Sequence, residues 1–233
     1  MSKLTTNLLN LSPDAYKRAT THPFLRHAGL SSLPKSALLA WLTQDRLYAL
    51  NYVPFIGNLI SKCSVPSSVD RTETLEWRIA SMLIDALTNI RQELAMFEGI
   101  LRTEFDWKKE EEDMRIETKA YADLFAGASA QNSSLLVGLT VLWATEKCYL
   151  EAWRYARSFL ETAGNGAEKT ALSTILIPNW SSPEFEKFVN VIGDLVDELA
   201  AREPVDSIEL RKCEQAWRQV LWAEERFWPD VQE

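Results

Sequence analysis

The chain has 233 residues, with 25 Lys and Arg against 33 Asp and Glu, a net charge of −8, 46% hydrophobic residues and 25% charged residues. These proportions exclude wholesale disorder, no apolar run is long enough to cross a bilayer, and no Lys/Arg cluster offers a duplex-binding surface, so neither nucleic acid nor membrane is expected as a partner. Residues 1–14 show no apolar segment followed by a small-residue cleavage site, and the three cysteines (Cys63, Cys148, Cys213) lack metal-type spacing, so they read as reduced thiols of a cytoplasmic protein.

Apolar residues recur every third or fourth position along most of the chain. This period predicts helices at about 13–20, 34–63, 68–105, 114–130, 133–163, 166–177, 182–202 and 206–228. Pro13 and Pro34 suit first helical positions, and Pro54 inside the second helix predicts a kink. Ser64-Val65-Pro66-Ser67-Ser68 is a turn cluster, and the charged stretch Lys108–Arg115 reads as a solvated connection. Ala163-Gly164-Asn165-Gly166 lacks the strand and the third spaced glycine of a phosphate loop and reads as a helix–helix turn. Ile177-Pro178-Asn179 and Ser181-Ser182-Pro183 mark another turn. Glu203-Pro204 ends the penultimate helix, and Asp206 is placed to cap the last. No repeat or linker interrupts this pattern. The expected architecture is one all-α domain over residues 1–233, a bundle of seven or eight helices around a central cavity.

An amphipathic helix keeps charge off its apolar stripe, and three helices here break that rule. In the second helix the stripe Leu38, Trp41, Tyr48, Tyr52 is interrupted by Asp45. In the fifth, the stripe Leu139, Leu142, Tyr149, Trp153 is interrupted by Glu146. In the last, Trp217, Val220 and Phe227 flank Glu224. Burying an ionised carboxylate costs several kcal/mol, so three such intrusions among aromatics point to a polar pocket inside the bundle. Neither histidine (His22, His27) completes the Glu-x-x-His of a di-iron bundle, so no metal or other cofactor is expected. No Gly-x-Ser-x-Gly is present, and Cys148 lies about 200° around the helix from Glu146, which makes it a packing residue. What remains is paired-carboxylate chemistry, in which two acids with separated pKa values donate and accept protons, while tyrosines such as Tyr52 and Tyr149 supply hydrogen bonds and ring faces. Nine tryptophans fit core filling, with some left to line a pocket for a flat ligand.

Several segments together resemble the TenA/THI-4 family of thiaminase II and aminopyrimidine aminohydrolases. They are His22-Pro23-Phe24, Trp41-Leu42-Thr43-Gln44-Asp45-Arg46-Leu47-Tyr48, Tyr121 in Lys-Ala-Tyr, Trp180-Ser181-Ser182-Pro183-Glu184-Phe185 and Glu224-Glu225-Arg226-Phe227-Trp228. The resemblance runs over nearly the whole chain. It implies a haem oxygenase-like helical fold without haem, and self-association into dimers or tetramers. It implies that Asp45 anchors an aminopyrimidine ring, that Tyr48 and Tyr121 line the pocket, and that Glu224 is an acid/base residue. Two departures stand out. Glu146 occupies the place of the family's nucleophilic cysteine, and Trp180 that of a pocket tyrosine. The chain thus resembles the cysteine-lacking branch linked to thiamin salvage, in which Glu146 and Glu224 would divide the proton transfers during hydrolysis of amino- or formylamino-methylpyrimidine. The alternative is a non-catalytic protein that binds a pyrimidine-type ligand in the same cavity.

Overall fold

The computed structural model describes residues 3–108, 113–162 and 169–231. Among these residues all regular structure is helical. In chain order it comprises α1 (Leu4–Leu11), α2 (Pro13–Thr20), α3 (Pro23–Gly29), α4 (Lys35–Ser61), α5 (Leu75–Phe105), α6 (Ile116–Ser129), α7 (Leu135–Thr162), α8 (Ile177–Trp180), α9 (Pro183–Ala200) and α10 (Ile208–Phe227). The expected all-α bundle is therefore present. No helix among the described residues is long and apolar enough to cross a membrane.

α7 is the hub, touched by α2, α3, α6, α8, α9 and α10, while α4 packs between α5 and α6. The reason is legible in its sequence: Leu139, Val141, Leu142, Ala144, Cys148, Leu150, Ala152, Trp153 and Ala156 are all buried, so apolar residues circle the helix rather than forming one stripe. Side-chain caps fix where several helices start. Ser134 Oγ accepts from Val137 N–H at 3.2 Å, Ser182 Oγ from Phe185 N–H at 3.0 Å and Ser207 Oγ from Leu210 N–H at 3.2 Å.

Several local expectations need correction. α1 and α3 were not expected. At 8 and 7 residues they show barely two turns of periodicity, although Leu4 and Leu8 are buried one turn apart in α1 and Pro23 occupies the first turn of α3. Pro34 is the N-cap of α4 rather than its first helical residue. The third predicted helix starts at Leu75, because Thr74 Oγ1 accepts from Trp77 N–H at 3.3 Å and a 3₁₀ turn, Arg71–Glu73, precedes it. Ser207, not Asp206, caps α10; Asp206 takes φ 59° in the turn before it. Ile177-Pro178-Asn179 is helical, since Pro178 sits in the first turn of α8, where its missing N–H is not needed, and a π turn at Leu172–Leu176 leads into it. α4 stays helical on both sides of Pro54, whose exposed face lets water reach the carbonyl it leaves unpaired. The Ala163–Gly166 turn and residues 109–112 of the charged connection lie outside the described residues.

One close approach depends on glycine. A Cβ on Gly29 of α3 would lie 2.0 Å from the Ala156 carbonyl oxygen of α7, whereas one on Gly57 of α4 meets nothing within 4 Å. Gly29→Ala should therefore destabilise the fold by about 1–3 kcal/mol, the usual cost of overpacking. Gly57→Ala should raise stability by about 0.4–1 kcal/mol by narrowing the unfolded ensemble. Thermal melts followed by circular dichroism check both signs.

Candidate active site

The intruding acids come together because α4, α5 and α7 each turn one apolar-spaced face toward the same point. Asp45, Tyr48, Ala49 and Tyr52 from α4, Ile90, Glu93 and Phe97 from α5, Thr145, Glu146 and Tyr149 from α7, and Trp180 from α8 enclose an inner cavity of about 20 Å³. That is room for a water molecule. A second space of about 390 Å³ adjoins it and shares Tyr52, Ile90, Glu93 and Glu146 with its wall. Exposed Asn89, Gln92, Asn179 and Glu184 line this second space, so it forms a vestibule open to solvent.

Each acid is held by an aromatic donor. Tyr149 Oη donates to Asp45 Oδ2 at 2.8 Å, Tyr52 Oη to Glu146 Oε1 at 2.7 Å, Tyr121 Oη to Glu224 Oε1 at 2.5 Å and Trp180 Nε1 to Glu93 Oε1 at 3.0 Å. None of the ion pairs among the described residues includes Asp45, Glu93, Glu146 or Glu224. Among the described residues, neither cavity nor vestibule is lined by Lys, Arg or His. The site is therefore acidic and without a counter-cation.

Burial then dominates the titration of all four groups. Asp45 and Glu224 are each 3% exposed. Glu93 and Glu146 are half-buried, with part of each side chain on the vestibule, and burial is still the largest influence on each carboxyl. Desolvation pushes Glu93 up to about 7 against the pull of the Trp180 N–H. Glu146 rises to about 8, first through burial and then through the charges of Glu93 and Asp45, while the Tyr52 hydroxyl pulls it down. Glu224 also rises to about 8, by burial first, with Tyr121 opposing and Glu146 adding. Asp45 is pushed well above the usual carboxylate range by burial, with Tyr149 opposing and Glu93 and Glu224 adding. Acids raised to neutrality beside one another are the condition for one to donate a proton while another accepts.

Six of the eight sequence-predicted residues stand on the wall of the inner cavity: Asp45, Tyr48, Tyr52, Glu146, Tyr149 and Trp180. Tyr121 and Glu224 stand behind it. The Tyr121 ring meets the Tyr48 ring edge-on at 5.0 Å, and Tyr48 feels both Glu146 and Glu224. Glu224 is thus tied to the cavity wall through Tyr121, which packs on Tyr48. Glu93 was missed. It breaks the buried stripe Ala86, Ile90, Phe97, Ile100 of α5 in the same 4, 3, 4, 3 spacing that revealed the other three, so the signal was present. Cys148 is fully buried and burial pushes its thiol well up, as suits a packing residue.

The tryptophans divide. Trp41, Trp153 and Trp228 are buried core, stacked edge or face with Trp180 or one another at 5.1–6.3 Å, and Trp180 alone of these four reaches the cavity wall. Gln44, next to Asp45, is structural. Its Oε1 accepts from Arg115 N–H at 2.9 Å and Thr118 Oγ1 at 2.6 Å, and its Nε2 donates to the Asp113 carbonyl at 3.1 Å. This ties the start of α6 to α4 and sets where Tyr121 falls.

The model of the TENA/THI-4/PQQC family matches residues 12–233, nearly the whole chain. The chain belongs to this family. A relative in Fusarium pseudograminearum, named "Probable transcription factor", is 30% identical over 260 aligned residues covering 98% of this chain; the chain spans about half, 52%, of that protein's length. The "Probable bifunctional TENA-E protein" of Glycine max is 22% identical, with 91% of this chain and 86% of that protein covered. A solved TenA homologue from Pyrococcus furiosus superposes with a TM-score of 0.80 at 23% identity, covering 97% of this chain and 98% of that one. That likeness establishes the TenA fold for this chain.

Proposed function

We propose that this chain hydrolyses the C–N bond of aminopyrimidine breakdown products of thiamin, the aminomethyl- or formylaminomethyl-pyrimidine, with carboxylates doing the work of the family's thiol. The observation that carries this reading is the convergence of Asp45, Glu93 and Glu146 from three helices on one cavity wall, each held by an aromatic donor and none by a cation. Asp45 shares one proton with the ring nitrogen of the pyrimidine's amidine edge and accepts a hydrogen bond from its amino group. Tyr48 and Tyr149 offer ring faces. Glu146 works at the reacting carbon, where the inner cavity meets the vestibule. Tyr121 and Glu224 support Tyr48 from behind.

The inner cavity as it stands admits water and not a ring, so substrate entry requires the Tyr52–Glu146 hydrogen bond to open and join the two spaces. The lining also limits the substrate class. A phosphate ester entering the vestibule meets Glu93, Glu146 and Glu184 and no cation, so unphosphorylated substrates are favoured.

A second reading is a pyrimidine-binding protein without turnover. The closed inner cavity favours it. One assay separates the two. Thiamin, aminomethyl-pyrimidine and formylaminomethyl-pyrimidine are incubated side by side with the protein, and products are followed by chromatography. The hydrolase reading expects product from one or both pyrimidines and little from thiamin, since no thiol stands at position 146. Tight binding of a pyrimidine without product would establish the second reading instead.

A further inference from the structure

We infer that Glu93 is the second catalytic carboxylate, working with Glu146 across the partition between vestibule and inner cavity, and that Trp180 is its positioning residue. This inference rests on the hydrolase reading above and adds Glu93 to the acids that the sequence pointed to. Three observations carry it. Glu93 and Glu146 are the two acids common to the walls of both spaces, whereas Glu224 lines neither. Both are half-buried on the solvent-open vestibule, while Asp45 and Glu224 do not line it. Each holds one oxygen on a donor, Glu93 Oε1 on Trp180 Nε1 and Glu146 Oε1 on Tyr52 Oη, which leaves the other oxygen of each for chemistry. An indole N–H donates only, so Trp180 favours the ionised form of Glu93 and suits it to act as base.

The oxygen of a water in the shared space bonds to the substrate's methylene carbon as its proton passes to ionised Glu93. The C–N bond breaks, and its electron pair stays on nitrogen, which takes the proton of Glu146. The net change is R–NH₂ + H₂O to R–OH + NH₃. Glu93 then returns its proton to Glu146 across the same space, and the pair is reset. The titratable groups around Glu93 that share this equilibrium are Asp45 and Tyr52 of α4, Glu146 and Tyr149 of α7, and Glu184 on the vestibule side of α9.

The test measures kcat and KM for aminomethyl-pyrimidine from pH 5 to 10, with a thermal melt of each protein. Glu93→Gln should lower kcat by ~10²–10⁴-fold with KM within a few-fold. Glu93→Ala should lose as much and regain part of it in formate, which reaches the vacated place through the vestibule. Trp180→Phe should move the acidic limb of the profile to higher pH, because the donor that favours ionised Glu93 is gone. A Glu93→Gln enzyme within threefold of wild-type kcat, or loss in Glu93→Ala that formate does not relieve together with an unmoved Trp180→Phe limb, overturns the assignment while wild-type turnover keeps the hydrolase reading standing. No turnover by the wild type overturns both.

Discussion

Glu146→Gln should lower kcat for aminomethyl-pyrimidine by ~10²–10⁴-fold, the usual contribution of one general acid or base, while KM changes little. The amide keeps the shape of the carboxyl and still accepts from Tyr52 Oη, now 2.7 Å from Glu146 Oε1, so the cavity wall is preserved. What is lost is a proton that leaves near neutral pH. Burial and the charges of Glu93 and Asp45 hold the Glu146 carboxyl at about 8, so in the wild type it is mostly protonated at pH 7 and ready to donate to the leaving nitrogen. Its alkaline limb should therefore fall near that value and vanish in the variant. A steady-state comparison at pH 7 measures the effect, and a raised KM with unchanged kcat would mean that Glu146 only holds substrate.

The second large effect is on stability, and it has the opposite pH dependence from that of an ordinary salt-bridged carboxylate. Glu224 is held at about 8, mainly by burial, against 4.5 in an open chain. A raised native pKa means that the folded protein keeps a proton which the unfolded chain has released. The stabilisation is complete below about pH 4.5, declines as pH rises and is gone above about 8. Glu93 and Glu146 act in the same direction, as does Asp45. For Glu224 alone the decline amounts to several kcal/mol, which for a chain of this size is a fall in Tm on the order of 10 °C between pH 5 and 8.5. In Glu224→Gln the amide oxygen still accepts from Tyr121 and nothing ionises, so the slope should flatten and the variant should outlast the wild type at pH 8.5. Calorimetry at both pH values checks the crossing; parallel slopes would show that Glu224 ionises freely in the folded protein.

The main helices were legible because their apolar residues repeat over many turns. α7 and α10 carry the pattern from end to end, and Pro13, Ser182 and Ser207 mark starts by ordinary capping chemistry. The short α1 and α3 and the π turn before α8 were not legible, since one or two turns fix no period and nothing local announces a widened turn. In the site, the rule that charge does not belong on a buried stripe located Asp45, Glu146 and Glu224, and applied to α5 it would have added Glu93. Periodicity says that a residue faces inward but not what stands between it and the cavity. That Glu224 stays off both walls while Glu146 opens on both spaces depends on how α4, α6 and α10 meet, which is tertiary geometry.

On the proposed reading these acids surround a site which receives an aminopyrimidine. That reading is tested most directly by a crystal structure of the Glu146→Gln protein soaked with aminomethyl-pyrimidine, which the variant binds without consuming. The account predicts the ring beside Tyr48 and Tyr149, its amidine edge on Asp45, its aminomethyl group facing Glu93 and residue 146, and the Tyr52 hydroxyl turned away from its present partner. A ring found only at the vestibule rim or elsewhere on the surface, with Asp45 still bonded to Tyr149 and the inner cavity closed, would contradict it.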